Sequence, residues 1–266
     1  MYRQLFMAMA LCLCGPALAQ TPDTVFLDQL TWVEARDAIS GGKTTIIIPT
    51  GGTEQGGPHV VLGKHNYRVP VFADAIARQL GNALVAPTMA YVPEGGLDPA
   101  TGHMRFPGTI TLPDPIFRQV LEYAARSLKL HGFKNIVFLG DSGGNQPGQT
   151  AVTAVLNAEW AGSDVRVHTF YNYYRGDPEA DLALMMKMGV TKDEIGGHVD
   201  VRDTSLLLAT APNMVRMNKL AAGDGKNGVR GDARRASVEI GRALMDTTVT
   251  RTVQEIRTSI VESRKK

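Results

Sequence analysis

The 266-residue chain carries 28 basic and 26 acidic residues, and 44% of it is hydrophobic. This near-neutral balance offers no basic surface for nucleic acid or for an anionic membrane, so we expect neither as a partner. Both cysteines, Cys12 and Cys14, lie close to the N-terminus. The rest of the chain therefore has no thiol nucleophile, and any metal site in it must use His, Asp and Glu.

The N-terminal segment has the pattern of a secretory signal peptide. Arg3 gives it a positive start, residues 5–13 form an apolar run, and Ala17-Leu18-Ala19 is a small-x-small cleavage site. The apolar run is shorter than the roughly 20 residues that a membrane-spanning helix needs. We therefore expect residues 1–20 to be removed. Residues 21–266 would form a periplasmic or secreted domain without a membrane anchor.

The mature chain alternates predicted strands and helices. Strands are predicted at 44–49, 83–92, 135–139 and 165–174, from short runs rich in apolar and β-branched residues. Helices are predicted at 67–80, 116–130 and 149–160, and a last helix over 233–256 would begin at an Asp232 N-cap. This alternation predicts a single α/β domain whose mostly parallel sheet has helices on both faces. Ligands of such sheets bind beyond the carboxyl ends of the strands, where two glycine-rich loops fall.

Five segments in chain order resemble the creatininase family of amidohydrolases. They are TGGTEQGGPHVVLGKH from Thr50, GHMRFPGTITL from Gly102, HGFKNIVFLGDSGGN from His131, GHVDVRDTS from Gly197 and GVRGDARRASVEIGRALM from Gly228. Together they span nearly all of the mature chain. The resemblance implies an α/β domain, often a homo-oligomer, that hydrolyses C–N bonds of cyclic or other small amides at a Zn or Mn centre.

The metal-binding motifs of that family are altered here. Where the family has Glu-x-His-Gly-x-His-x-Pro-x-x-x-Asp, this chain keeps Glu54 but has Gly56 in place of the first histidine and His65 in place of the aspartate. Where the family has Asn-Gly-His-Gly-Gly-Asn, Ser142 replaces the histidine and Asp141 adds a carboxylate. We therefore predict that Glu54, His65 and Asp141 hold one divalent ion, Zn or Mn or else Fe.

A further motif supplies the predicted acid–base group. It keeps His198, which we expect to act as general acid or base beside a metal-bound water, with Asp203 orienting it. His59 and His103 lie in loops near the pocket and are expected to support the site rather than to bind the ion. The segment 176–196 leads directly into His198 and is expected to shape the pocket.

Two other interpretations stay open. Gly140-Asp141-Ser142-Gly143-Gly144 fits the Gly-x-Ser-x-Gly elbow of a serine hydrolase, in the strand–turn–helix context which that motif requires. Alternatively, a chain that has lost metal ligands would be a periplasmic binding protein without catalysis. Inactivation by a chelator would favour the metal enzyme, and labelling by a fluorophosphonate would favour the serine hydrolase. Failure of both would favour the binding protein.

Export is the first testable expectation. If the signal pattern is read correctly, protein from a periplasmic fraction should begin at about Gln20 or Thr21. N-terminal sequencing measures this directly. Soluble protein that still begins at Met1 would contradict it.

Overall fold

A four-stranded parallel sheet forms the centre of the fold. The computed structural model describes residues 22–264, so the predicted signal peptide lies outside the described residues. In chain order the helices and strands are α1 (Trp32–Ser40), β1 (Thr45–Thr50), α2 (Lys64–Leu80), β2 (Ala83–Val85), α3 (Asp114–Leu130), β3 (Asn135–Gly140), α4 (Asn145–Glu159), β4 (Arg166–Thr169), α5 (Tyr171–Arg175), α6 (Pro178–Lys187), β5 (Ile195–His198), α7 (Val201–Thr210), β6 (Arg230–Gly231) and α8 (Val238–Ser263). Across residues 22–264, no helix is both long and apolar enough to cross a membrane.

The sheet has the order β2-β1-β3-β4, and its neighbouring strands are all parallel. Strand β1 is buried along its whole length because helices cover both faces of the sheet. Its side chains alternate between two cores: Ile47 packs with residues of α2 and α8, whereas Ile46 and Ile48 pack with residues of α3 and α4. The predicted α/β domain is thus confirmed.

Several element boundaries differ from the prediction. Strand β2 ends at Val85 rather than at residue 92, close to Pro87, which has no N–H for a sheet hydrogen bond. The last helix begins after Ser237, whose hydroxyl accepts from the N–H of Ile240 at 3.2 Å, so the predicted N-cap was wrong. Asp232 instead accepts from the N–H and side chain of Arg234.

The carboxyl ends of β1 and β3 lie side by side and carry two of the predicted site residues. Glu54 lies in the loop after β1, and Asp141 directly follows β3. Asn145, the first residue of α4, joins the two ends, because its side-chain amide donates to the carbonyls of Thr50 and Gly51 at 3.1 and 3.0 Å. The spacing between the two loops is therefore held by direct hydrogen bonds.

A small antiparallel pair, β5 and β6, brings His198 to the same place. Asp200 caps α7 by accepting from the N–H of Asp203 at 2.9 Å, which fixes how the chain turns after His198. Helix α7 packs closely on α8 at Gly241, where an added Cβ would lie 1.9 Å from the Ser205 carbonyl oxygen. Only glycine allows this approach, and α8 thereby supports the helix that follows His198.

Candidate functional site

A cavity of about 820 Å³ opens at the carboxyl ends of β1 and β3. One wall comes from the loops after these strands and from the first turns of α2. Side chains of the segment 176–196 also line the cavity, as the sequence indicated; they are Pro178, Asp181, Leu182, Met185, Lys192 and Ile195. The volume is that of a small-molecule site.

Glu54 is the centre of the site, and its side chain is only 3% exposed. Its Oε1 lies 2.9 Å from Lys64 Nζ, 3.0 Å from His65 Nε2 and 3.1 Å from His198 Nε2. Its Oε2 lies 3.2 Å from His103 Nε2. Burial acts to raise the pKa of the Glu54 carboxyl, but the charges of Lys64 and His65 hold that pKa well below its usual range. Glu54 is therefore an ionised carboxylate surrounded by nitrogens.

His65 links Glu54 to Asp141. Its Nε2 lies 3.0 Å from Glu54 Oε1, and its Nδ1 lies 2.7 Å from Asp141 Oδ2. Burial opposes a charge on the ring, yet the neighbouring Glu54 carboxylate and the bond to Asp141 raise the pKa of His65 above its ordinary value. His65 thus lies between two carboxylates, and a charged ring would donate to both of them. The three predicted ligands therefore converge, with His65 between the two carboxylates.

Two further cations complete the cluster, and the sequence reasoning missed both. Lys64 Nζ lies 2.8 Å from Asp203 Oδ2 in addition to its contact with Glu54. Arg68 pairs with Asp141 at 2.9 Å and also with Asp203. Lys64 and Arg68 therefore lie among three carboxylates, of which Glu54 and Asp141 are buried and Asp203 is partly exposed.

The N-terminus of α2 contained a signal for this cluster. A helix N-terminus favours acidic residues in its first turn and a side-chain N-cap. Helix α2 has neither, since Gly63 offers no side chain and Lys64 and His65 fill the first turn. Arg68 follows one turn later on the same face as Lys64. Cations at such a position are unfavourable unless carboxylates from elsewhere in the fold face them.

His198 is oriented by a backbone carbonyl. Its Nδ1 lies 2.8 Å from the oxygen of Gly228, which can only accept, so Nδ1 carries the proton and Nε2 faces the cluster. The predicted orienting role of Asp203 is not what the contacts show. Asp203 Oδ2 accepts from Lys64 and from the N–H of Val199 at 2.9 Å, because Asp203 lies in the first turn of α7 and points toward α2.

Val199, which follows His198, has a backbone φ of 45° and is the one non-glycine residue with positive φ within 22–264. Such a conformation is strained for a β-branched side chain. Hydrogen bonds hold it, since its carbonyl accepts from His59 Nε2 at 3.0 Å and from the Thr204 hydroxyl at 3.1 Å. His59 thus supports the site through the backbone beside His198, in agreement with the expected supporting role.

His103 lies closer to the centre than the sequence suggested. Its ring packs against that of His198, with centroids 4.7 Å apart. The Gln55 Oε1 accepts from the N–H of Gly57, so the Gln55 amide nitrogen donates to His103 Nδ1 at 3.2 Å. His103 Nε2 therefore carries its hydrogen toward Glu54. Burial lowers the pKa of His103 to about 4, which leaves the ring neutral at neutral pH.

Glu54, His103 and His198 form a candidate metal cluster, with one ligand atom from each lying within 4.8 Å of the others. One carboxylate and two imidazoles are a donor set that suits zinc. The surrounding contacts do not fit an ion, however. His103 Nε2 carries a hydrogen, and His198 Nε2 lies 3.4 Å from the ammonium of Lys64. That ammonium would repel a divalent ion bound to Glu54.

Ser142 has the strand–turn–helix context of a nucleophile elbow but lacks its other features. Its backbone φ is not positive: among the described non-glycine residues, only Val199 has a positive φ. Its side chain is buried, and no histidine of residues 22–264 is hydrogen-bonded to it. The neighbouring acid is Glu94, whose pKa is raised by burial and by the Glu54 charge, so Glu94 keeps its proton. The site offers Ser142 no base.

A parallel α/β sheet with a buried carboxylate–imidazole cluster at its strand ends is the architecture of an α/β enzyme. The sequence profile described as "Creatininase: Creatinine amidohydrolase" matches residues 28–256. The chain belongs to the creatininase family, a family of amidohydrolases, as the motif resemblance predicted.

Two relatives of this chain are named for different substrates, creatinine and a precursor peptide. The chain is 25% identical over 205 residues to the creatinine amidohydrolase of Pseudomonas putida, which covers 74% of this chain and 76% of that protein. It is 27% identical over 190 residues to the mycofactocin precursor peptide peptidase of Mycolicibacterium smegmatis, which covers 67% of this chain and 63% of that protein.

Solved creatininases share the fold. A crystal structure of creatinine amidohydrolase superposes with a TM-score of 0.77 at 23% identity, covering 90% of this chain and 99% of that chain. A manganese form of creatininase gives a TM-score of 0.73 at 23% identity, with coverage of 89% and 99%. A mutant creatininase of Zn–Zn type gives 0.72 at 23% identity, with coverage of 90% and 99%. These structures confirm the predicted fold.

The charge balance of the cluster predicts strong coupling between Lys64 and Glu54. Lys64→Met or Glu54→Gln alone leaves buried charges without a partner, and each should lower the free energy of unfolding by about 3–5 kcal/mol. The double variant should cost at least about 1 kcal/mol less than the sum of the two. Urea unfolding measures all three.

The matched control is Lys134→Met, which breaks the pair of Lys134 with Asp164 on the surface. It should cost less than about 1 kcal/mol, since both side chains are more than half exposed. The coupling would be refuted if the double variant lost as much free energy of unfolding as the two single variants together. It would also be refuted if each single variant lost no more than this control.

Proposed function

We propose that this chain is an exported hydrolase that cleaves the C–N bond of a small amide carrying an anionic group. The observation that carries the proposal is the ionised Glu54, which faces His198 and Lys64 at the wall of a small-molecule cavity in a creatininase fold. The relatives named for creatinine and for a precursor peptide have C–N hydrolysis in common. Within this class we propose a non-peptide, cyclic amide as the first kind of substrate to test.

His198 has the geometry of a general base in this reaction. Its Nδ1 proton is held by the Gly228 carbonyl, so Nε2 is the basic nitrogen of the ring. Nε2 accepts from Lys64 at 3.4 Å, and a water that takes the place of this contact would give its proton to Nε2. Glu54 Oε1, 3.1 Å away, would stabilise the imidazolium that results. The water oxygen bonds to the amide carbon, the C–N bond breaks, and His198 returns the proton to the leaving nitrogen. The same residue thus serves as base and then as acid.

Negative charge that develops on the amide oxygen needs a positive environment. Lys64 lines the cavity, and so do Gly143 and Gly144 at the N-terminal end of α4. An ammonium and a helix N-terminus both favour an oxyanion, and burial strengthens their effect because little water screens it. The proposed steps use only groups of the chain itself.

The assignment of residues is tested on any cyclic amide that the unaltered protein hydrolyses. His198→Ala should lower kcat by about 10²–10⁴-fold, the usual contribution of a positioned acid–base group. Ser142→Ala should retain most of the activity, since Ser142 has no catalytic base. Circular dichroism would establish that each variant is folded, and assays with and without chelator would test the metal.

Three outcomes would contradict the proposal. An inactive Ser142→Ala variant that no longer reacts with a fluorophosphonate would favour the serine hydrolase. Full activity of His198→Ala would remove the proposed base. Tight binding of amides without turnover of any of them would favour a binding protein.

The preference for an anionic substrate comes from the outer part of the cavity. Arg202 there pairs with Asp181 at 3.2 Å. Arg175, Lys192 and Arg230 also line the cavity, are exposed, and have no acidic partner within the described part of the chain. The inner cations face carboxylates, whereas these three do not, so they give the outer part of the cavity positive charge. Such a surface attracts and orients a carboxylate.

Removing these outer charges should weaken binding of anionic substrates selectively. Lys192→Met and Arg230→Met should each raise KM for a cyclic amide that carries a carboxylate by roughly 3–10-fold, which corresponds to about 0.7–1.4 kcal/mol. KM for the uncharged amide of the same compound, and kcat for both, should stay within twofold. Lys134→Met is the matched control, since Lys134 does not line the cavity. Equal effects on the charged and uncharged compounds would contradict the anionic preference.

Two further features of the proposal come from the N-terminal pattern and the family. We place the mature enzyme in the periplasm or outside the cell, and we expect it to be a homo-oligomer. Sedimentation of the mature protein would measure the oligomeric state.

A further inference from the structure

The ammonium of Lys64 has three hydrogen atoms and three acceptors. Lys64 Nζ lies 2.9 Å from Glu54 Oε1, 2.8 Å from Asp203 Oδ2 and 3.4 Å from His198 Nε2. Its side chain is 2% exposed, so no water shell replaces these contacts. From this geometry we infer that Lys64 takes the place of a divalent metal ion, so that the folded chain binds no Zn or Mn at this site.

The donor set around Lys64 is that of a metal site. Two carboxylate oxygens and one imidazole nitrogen suit Zn or Mn, which binds such atoms at about 2.0–2.2 Å. Here the same kinds of atom surround a nitrogen at hydrogen-bond distances of 2.8–3.4 Å. An ammonium serves the same electrostatic purpose for Glu54 and Asp203, because it supplies positive charge between two buried carboxylates.

The remaining neighbours leave no room for an additional ion. Both ring nitrogens of His65 are in contact with carboxylates, Nε2 with Glu54 and Nδ1 with Asp141. Arg68 occupies Asp141 and Asp203 from the other side. A divalent ion at Glu54 would place two further positive charges beside the ammonium of Lys64, which lies 2.9 Å from Glu54 Oε1 and would repel the ion. Each of these contacts disfavours the binding of a divalent ion, whatever reaction the site performs.

The first test uses the unaltered mature protein. After incubation with ZnCl₂ or MnCl₂ and gel filtration, elemental analysis should find less than about 0.1 ion per chain, and a chelator should not change the melting temperature. One tightly bound ion per chain would overturn the inference. Substrate is absent from this measurement, so its result is independent of whether the proposed hydrolysis is right.

The second test removes the ammonium. Lys64→Ala frees Glu54, Asp203 and His198, and titration calorimetry should show one Zn²⁺ per chain bound at least about 100-fold more tightly than by the unaltered protein. Zn²⁺ should also raise the melting temperature of this variant. Lys64→Arg, which keeps a cation there, is the matched control and should not gain the site. Lys64→Ala with His198→Ala should lose it.

A folded Lys64→Ala variant that binds no Zn²⁺ would overturn the inference, as would a Lys64→Arg variant that binds it equally well. If Lys64→Ala does not fold, the metal content of the unaltered protein still decides the question.

Discussion

The buried charge of Glu54 is the constraint on which the rest of the site depends. An ionised carboxylate removed from water costs several kcal/mol unless cations and hydrogen-bond donors replace the lost solvation. Here the replacement comes from distant parts of the chain: Lys64 and His65 from α2, His198 from the end of β5, and His103 from a loop. The site forms only when all of these elements are packed together, so folding and assembly of the site are a single event.

This requirement explains why α2 departs from the usual composition of a helix N-terminus. Lys64 and His65 are unfavourable beside the positive end of a helix. They become favourable once Glu54 and Asp203 face them, and these carboxylates come from the β1 loop and from α7. A local cost is thus offset by tertiary contacts, which is a common property of functional sites. The strained backbone of Val199 next to His198 is a second cost of the same kind.

Much of the fold could be predicted from the sequence, because buried parallel strands and amphipathic helices leave clear periodic patterns. Glu54 and Asp141 could be placed together for a related reason, since both follow strands whose carboxyl ends meet at one edge of the sheet. Lys64 and Arg68 could not be placed in the site, because four-residue spacing on a helix is equally typical of a solvated face. The partner of His198 was also misassigned: it is the carbonyl of Gly228, thirty residues away, and a backbone group leaves no mark in the sequence.

The hydrogen bonds of Asn145 have a consequence for how a ligand reaches the cavity. Its amide binds the backbone at the end of β1 while its own helix starts just after the β3 loop, so the loops that carry Glu54 and Asp141 form one rigid unit. The cavity-lining side chains of the segment 176–196 come from α6, from β5 and from the chain between them. This segment is held by α7 and α8 rather than by Asn145, since Asp181 pairs with Arg202 at 3.2 Å and with Arg251 at 3.7 Å. Sequence changes at its cavity-lining residues would therefore alter which molecules enter, while the loops that carry Glu54 and Asp141 keep their spacing.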